Sequence, residues 1–357
     1  MAVTEFASGS AFAVQRWSAE LAHETIGKTW FSRLLGDGKD ACIRHLKDLS
    51  SSAGDTIKYD VRYQNRGDGV QGDTKLDGFE AELDFYQDTV KIDQLRQAHS
   101  FRRMTQQRTV HDLRKEGRDS LSDWFARVFD AMLMHYLTGV IGNSPERVSG
   151  IMGSGGFAGN ALETPDAAHL IDGSGSTFTL GLLDRAVAAA KVNNPRIRPI
   201  MIDGQPKYCA ILHPWTVLQM KAATGTTQWN LIHQNASERS SKNPIYTGAL
   251  GEYNGVVLHE SEYMPVTNTG TLGDSNGTIH NVLLGAQAGV FAMGNAWDKM
   301  DRAGAGGGTY FRYDEERKDY NNEKGVAGAS IFGMKKTRFN STDFGTIRID
   351  CNDDNTP

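Results

Sequence analysis

Residues 207–222, KYCAILHPWTVLQMKA, and residues 246–265, YTGALGEYNGVVLHESEYMP, decide how the rest of the chain is read. Tyr208 to Leu212 is an apolar run of strand length that breaks at His213-Pro214. Pro214 suits the first position of a helix, where its missing N–H would have no partner anyway. In the second stretch Gly248, Gly251 and Gly255 mark a tight reversal into a strand from Val256 to His259, and the run ends at Pro265. Strand, Pro-led helix, glycine turn and strand form a packing unit. It holds no catalytic constellation.

On the N-terminal side, Ile57, Tyr59, Val61 and Tyr63 alternate with Lys58, Asp60 and Arg62, the period of a half-buried strand. Phe79, Ala81, Leu83 and Phe85 alternate with Glu80, Glu82 and Asp84, and Val90 and Ile92 extend the run. The connection between them carries Gly67, Asp68, Gly69, Gly72, Asp73 and Gly78, so the two strands read as a long hairpin with a polar tip. An isolated hairpin is marginal in water, and one this long gains from packing on another chain. Arg66-Gly67-Asp68 spells an adhesion tripeptide, but these are also the residues a turn needs.

Residues 109–138 carry the strongest helical pattern, with Val110, Leu113, Leu121, Trp124, Phe125, Val128, Phe129, Met132, Leu133, Tyr136 and Leu137 at steps of 3 and 4. Thr109 with Asp112 resembles a capping box, and Gly139 ends the run, giving a helix of roughly 45 Å. The approach to it is basic: Arg96, Arg102, Arg103, Arg108, Arg114, Lys115 and Arg118. Ahead of the hairpin, Val14, Trp17, Leu21, Trp30, Phe31, Leu34 and Leu35 lie in a loosely patterned arm. An arm that exposes Trp and Phe needs a surface to lie on, either its own domain or a neighbouring subunit.

Residues 143–178 and 301–325 are glycine-rich and read as a long excursion and a flexible segment. Between them fall a short helix at Leu182, Leu183, Ala186, Val187 and Ala190, a strand from Ile197 to Ile202, and strands at His280–Leu284 and Gly289–Met293. Ile331 to Met334 and the alternation Ile347, Ile349, Cys351 close the chain. Helices and strands mix without a βαβ rhythm, so the class is α+β.

Bulk properties exclude more than they assign. The 357 residues are enough for one large domain or two ordinary ones, and 39% hydrophobic with 23% charged content is globular. A net charge of −5 lacks the basic excess of a tight nucleic-acid binder, so contact with nucleic acid is expected to be weak and local. Cys42, Cys209 and Cys351 are odd in number and far apart, which disfavours zinc and a disulfide framework and points to free thiols in a reducing cytoplasm. The first residues lack the pattern of a signal peptide and no apolar run approaches bilayer length, so no membrane partner is expected.

Catalytic motif fragments fail on their second half. His23-Glu24-Thr25-Ile26-Gly27 has Gly27 where HExxH needs its second histidine. Gly27-Lys28-Thr29 lacks the first glycine of a phosphate loop, since position 22 is alanine. Gly273-Asp274-Ser275-Asn276-Gly277 matches G-x-S-x-G without the strand before and helix after that a nucleophile elbow requires. Asp350, Asp353 and Asp354 lack the spacing of a calcium loop. No enzyme activity, metal or cofactor is expected.

The order apolar strand, His-Pro, helix with Leu and Met, then G-x-L-G-x-Y-x-G-V-x-x-x-E is similar to the central module of tailed-phage major capsid proteins. Lys318-Asp319-Tyr320-Asn321-Asn322, with IFGMKK at 331–336 and Phe339-Asn340, resembles the C-terminal block of the coat family of large podoviruses and many prophages. The resemblance implies the HK-type capsid fold: an N-terminal arm at 1–54, an extended hairpin at 55–100, a spine helix and peripheral domain at 101–178, an axial domain at 179–330, and a C-terminal strand at 331–357 returning to the peripheral domain.

It implies a chain that self-assembles, as pentamers and hexamers, into an icosahedral shell around phage double-stranded DNA. Assembly would take place in the host bacterial cytoplasm. The expected subunit contacts are Trp17, Trp30, Phe31, Arg66, Asp68, Asp73, Lys75, Arg102 and Arg103. The short arm implies a separate scaffolding protein, beside a portal and a decoration protein. Two other readings stand against this one: a different phage structural subunit, and a soluble α+β hydrolase using Ser275.

Overall fold

The computed structural model describes residues 21–353 apart from 39, 48–53, 62–68, 74, 79–85, 147, 154, 203, 223–249, 268–276, 296–309 and 321. Two mixed sheets organise it. The first is six-stranded and centres on the 14-residue strand Glu323–Lys336. Asp93–Arg102 runs antiparallel along one edge of that strand. Phe311–Lys318 and then Gly289–Met293 follow each other along the opposite edge. Ile43–Leu46 and Leu35–Gly36 extend the sheet beyond Gly289–Met293 through parallel pairings.

The second sheet is eight-stranded and contains both halves of the opening stretch. Gln205–Leu212 and Val256–Glu260 lie side by side in parallel, Tyr208 opposite Val256 and Leu212 opposite Glu260. The helix Pro214–Ala222 follows the first strand directly. Its start is capped by His213, whose Nδ1 accepts the Trp215 N–H at 3.2 Å. Burial holds the His213 pKa down at about 4, so the ring stays neutral and keeps the lone pair this cap requires. The reversal before Val256 uses Asn254 and Gly255, both left-handed (φ 48° and 73°), the turn that joins antiparallel strands without splaying them.

The period of two along these strands sets where the cores sit. Cys209 and Ile211 point into one core, and Tyr208, Ala210 and Leu212 into the other. Val282 and Leu284 against Ile279 and Leu283 repeat the division on the neighbouring strand Thr278–Leu284. The second sheet is therefore buried on both faces: by the long helix on one, by helices Leu180–Val192 and Pro214–Ala222 on the other.

The long helix runs from Leu113 to Thr138, 26 residues or about 39 Å. It starts later than the periodicity predicts. Asp112 caps it by accepting the Arg114 N–H at 3.1 Å. Gln106 occupies the groups just before it, donating to the His111 carbonyl and accepting the Leu113 N–H. Val110, a periodic position on sequence grounds, lies outside the helix and is fully exposed. The N-terminal half buries one stripe, Leu121, Phe125 and Phe129, whereas residues 128–138 are buried all round because they pass between the two sheets. Close approach to the first sheet is permitted by Gly328, where a Cβ would stand 2.9 Å from the Phe125 ring. Gly139 ends the helix at φ 72°.

Three further expectations change. The segment expected to be flexible at 301–325 contains a regular hairpin, Phe311–Lys318 with Glu323–Lys336; its glycine-rich start at 301–309 lies outside the described residues. The basic approach to the helix is an edge strand, Asp93–Arg102, whose outward side chains hide its period. The excursion 143–178 packs inward, with Phe157 stacked on Phe332 at 4.6 Å. Strand Glu323–Lys336 is continuous through positions 330 and 331, and the closing strand Thr346–Asn352 pairs with Thr278–Leu284 in the second sheet.

Candidate assembly surface

The hairpin of Thr56–Val61 and Tyr86–Lys91 is seated on the body at its root. Ile57, Tyr59 and Val61 are buried with Leu46, Val90, Val290, Ala292 and Phe344, while Thr56, Lys58 and Asp60 face outward. Asp88 gathers the root: it accepts the Tyr59 hydroxyl at 2.8 Å and pairs with Lys335 Nζ at 2.6 Å. Further along, Asp73, Lys75, Leu76 and Asp77 are all exposed, Leu76 by 58%. Leu76 is thus an exposed aliphatic side chain with charged residues on both sides of it. Arg66, Asp68 and the predicted strand from Phe79 to Phe85 lie outside the described residues.

The arm's 3₁₀ turn Trp30–Leu34 is anchored on its own chain. Asp130, on the long helix, accepts the Trp30 N–H at 2.8 Å and the Phe31 N–H at 3.1 Å. Phe31 is 1% exposed and meets Phe291 edge to face at 5.4 Å, so its ring belongs to the interior. Trp30 is half-buried, its ring edge-on to His259 at 5.8 Å. Trp17 lies outside the described residues. Of the two surfaces open to the arm, residues 30–34 take the intramolecular one.

Arg102 and Arg103 are exposed where the edge strand ends. Arg102 stands opposite Glu323, and the Arg103 N–H donates to the Asn322 carbonyl at 2.8 Å. Two other arginines of the basic approach are consumed inside the subunit. Arg114 pairs with Glu315, and Arg118, 8% exposed, pairs with Glu24 and Asp119.

Sequence reasoning missed a buried polar line. Thr267 Oγ1 lies 2.9 Å from His280 Nε2, and His280 Nδ1 lies 2.7 Å from Asp350 Oδ1. The order is that of a nucleophile, base and carboxylate, but Asp350 is already held by both arms of Arg348, at 2.9 and 3.0 Å. The carboxylate is thus shared between the guanidinium and the imidazole, and is not dedicated to orienting a base. His280 and Asp350 are register partners on adjacent strands, so the line reads as a cross-strand ladder. No sequence signal links positions 70 residues apart in this way.

Lys336 and Asp343, 2.8 Å apart and almost fully buried, form a second internal pair, flanked by Arg338 and Glu163. Burial pushes the Cys209 and Cys351 thiols up to about 12, which leaves them inert. Among the described residues no cluster of three or more metal-ligating side chains occurs, and no helix is long and apolar enough to cross a membrane. Ser275 lies outside the described residues.

What these surfaces have in common is exposure of charge and isolated apolar groups around a well-packed interior. A family profile described as phage capsid protein matches residues 5–353. The major capsid protein of Pseudomonas phage KPP25 is 26% identical over 372 residues, 93% of each chain. The capsid of Ralstonia phage GP4 is 32% identical, superimposes with a TM-score of 0.79 and is covered in full, as is this chain. The cyanophage Pam1 capsid subunit, 18% identical, shares the fold with a TM-score of 0.67 over 100% of this chain and 95% of its own.

Proposed function

The chain belongs to the phage capsid protein family, and from that premise we propose how its surfaces are used. It is a major capsid protein with the HK-type α+β fold, a subunit of the shell, and it acts with copies of itself. The hydrolase reading finds no support. The observation that carries the reading is likeness along the entire chain, 32% identical with a TM-score of 0.79, to a solved phage capsid subunit.

The shell is icosahedral and built from pentamers and hexamers. The root of the hairpin Thr56–Val61/Tyr86–Lys91 is a fixed mount, and its tip, with Asp73 and Lys75, reaches a neighbouring subunit; Arg66 and Asp68 act with it. Arg102 and Arg103 make a second contact, and Trp17 carries the arm across a subunit boundary, ahead of the point where Trp30 and Phe31 anchor it on its own chain. Residues 1–54, 55–100, 101–178, 179–330 and 331–357 serve as arm, extended hairpin, peripheral, axial and returning units. Exposed ion pairs are each worth about 0–1 kcal/mol, so these contacts are weak one at a time and can anneal. Weak contacts also admit several curvatures. A separate scaffolding protein selects one, a portal interrupts the lattice, and a decoration protein can bind outside. Assembly takes place in the cytoplasm of the host bacterium. The charge of −5 keeps contact with packaged DNA weak and non-specific.

The test is expression of the chain alone and with its candidate scaffold, followed by sedimentation velocity and negative-stain imaging. Closed shells, tubes or capsomer-sized rings are expected. A persistent 39.2 kDa monomer under both conditions would overturn the reading.

A further inference from the structure

Two features of the first sheet are complementary in shape and charge. The first is Tyr320, at the tip of the hairpin between Phe311–Lys318 and Glu323–Lys336. It is fully exposed and left-handed, as is Asp319 before it, both at φ 50°. Aromatic residues rarely adopt this conformation. Here the turn is locked by Asn322, whose N–H and Nδ2 donate to the Asp319 carbonyl and carboxylate at 2.9 and 3.0 Å. A rigid turn that holds a large ring out in water, at a backbone cost, suggests a contact made elsewhere. Arg102 and Arg103 stand beside it.

The second feature is a cleft of about 320 Å³ on the sheet face turned away from the long helix. Register places Asp314, Ala327 and Ala98 in one row and Glu316, Gly325 and Ser100 in the next, all on that face. Small residues make the floor, and Asp314 and Glu316 make one wall. Both carboxylates pair along their own strand, Asp314 with Arg312 at 2.9 Å and Glu316 with Lys318 at 3.1 Å. Exposed pairs of this kind exchange partners at little cost.

We propose that Tyr320 seats in the Ala98–Gly325–Ala327 cleft of a second copy of this chain, with Arg102 and Arg103 meeting that copy's Asp314 and Glu316. The contact rests on the shell-subunit reading above and names a surface for it. A tyrosine buried among small residues and ringed by arginine–carboxylate pairs has the composition of an interface hot spot. Knob and cleft are different surfaces of one chain. Offered to two different neighbours, knob and cleft make a head-to-tail contact that closes a ring or continues a lattice; exchanged between the same two copies, they make a two-fold pair.

Two substitutions separate this contact from stability. Tyr320→Gly relieves the left-handed tyrosine, so the melting temperature of the free subunit stays or rises. Gly325→Val fills the floor; a Cβ there meets only the His99 and Glu316 carbonyl oxygens, at 3.8 and 3.9 Å, so the subunit still folds. Each is expected to raise the subunit concentration needed for shells by about tenfold or more, the effect of losing one anchoring aromatic.

Subunits carrying Tyr320→Cys, mixed with subunits carrying Gly325→Cys, co-assembled and oxidised, should give a disulfide-linked heterodimer in the assembled fraction alone. Wild-type shells beside an unchanged threshold for Tyr320→Gly, or a tip-to-tip Tyr320→Cys dimer in place of the heterodimer, would overturn this contact alone. Failure of the wild-type chain to form any shell overturns it together with the reading it rests on.

Discussion

Asn160 grips Lys91 with both atoms of its amide: the Lys91 N–H donates to Oδ1 at 2.8 Å, and Nδ2 donates to the Lys91 carbonyl at 2.8 Å. A buried side chain thus completes the backbone pairing of the last residue of the hairpin's return strand. Asn160→Leu leaves both groups without that partner. It should destabilise the unassembled subunit by about 2 kcal/mol, read from urea unfolding, and raise amide exchange in residues 86–91 above that elsewhere in the sheets.

The same carbonyl explains Gly333 within IFGMKK. A Cβ at Gly333 would stand 2.0 Å from the Lys91 oxygen, and the obstacle is backbone. Gly333→Ala is expected to cost about 2 kcal/mol or more by shifting the hairpin root. Gly325→Ala, on the same strand, would place its Cβ in ordinary van der Waals contact, 3.8 and 3.9 Å from two carbonyl oxygens, and should be neutral or stabilise by up to about 1 kcal/mol. Thermal melting of the two variants side by side checks the contrast.

Asp130 gives the arm's anchor a pH dependence. Burial pushes its carboxyl up to about 6, although the Trp30 and Phe31 N–H groups oppose the shift. A pKa raised on folding contributes stability that is fully present below the unfolded value near 4 and lost as pH rises through about 6. The difference in unfolding free energy between wild type and Asp130→Asn should therefore fall between pH 4 and 7, by on the order of 2 kcal/mol. Only the difference isolates Asp130. His45 and His213, held down at about 4 by burial, lose stability in the opposite direction, as pH falls from about 6.5 to 4.

Lys336 and Asp343 test what a buried pair is worth here. Burial drives the Lys336 pKa down and the Asp343 pKa up against their mutual attraction, so desolvation is the larger influence on both. Lys336→Met strands the carboxylate with Arg338 alone and should cost about 3 kcal/mol. Lys336→Met with Asp343→Leu should recover part of that loss. A double-mutant cycle in urea gives the coupling.

Much of the fold was legible because it is local. The alternation of Ile57, Tyr59 and Val61, the buried stripe at Leu121, Phe125 and Phe129, and the run Cys209 to Leu212 each encode their element through a period of 2 or 3.6. The His213-Pro214 break and the reversal at Gly255 were equally readable, since helix starts and tight turns follow from single residues. The edge strand Asp93–Arg102 and the hairpin arm Phe311–Lys318 were not. Their outer residues are charged on both faces, and they are strands because Glu323–Lys336 lies between them.

By itself the sequence determined the α+β class, the apolar strand Tyr208 to Leu212 and the resemblance to a coat-forming family. Only the tertiary structure decided which surface groups are available. It turned Phe31 inward, tied Arg114 and Arg118 to partners far along the chain, left Tyr320 out in water, and opened a cleft floored by alanine and glycine. The physical reason is range. Periodicity and turn chemistry act over a few residues, whereas exposure and charge pairing depend on segments 100 or 200 positions away that the chain alone does not bring together.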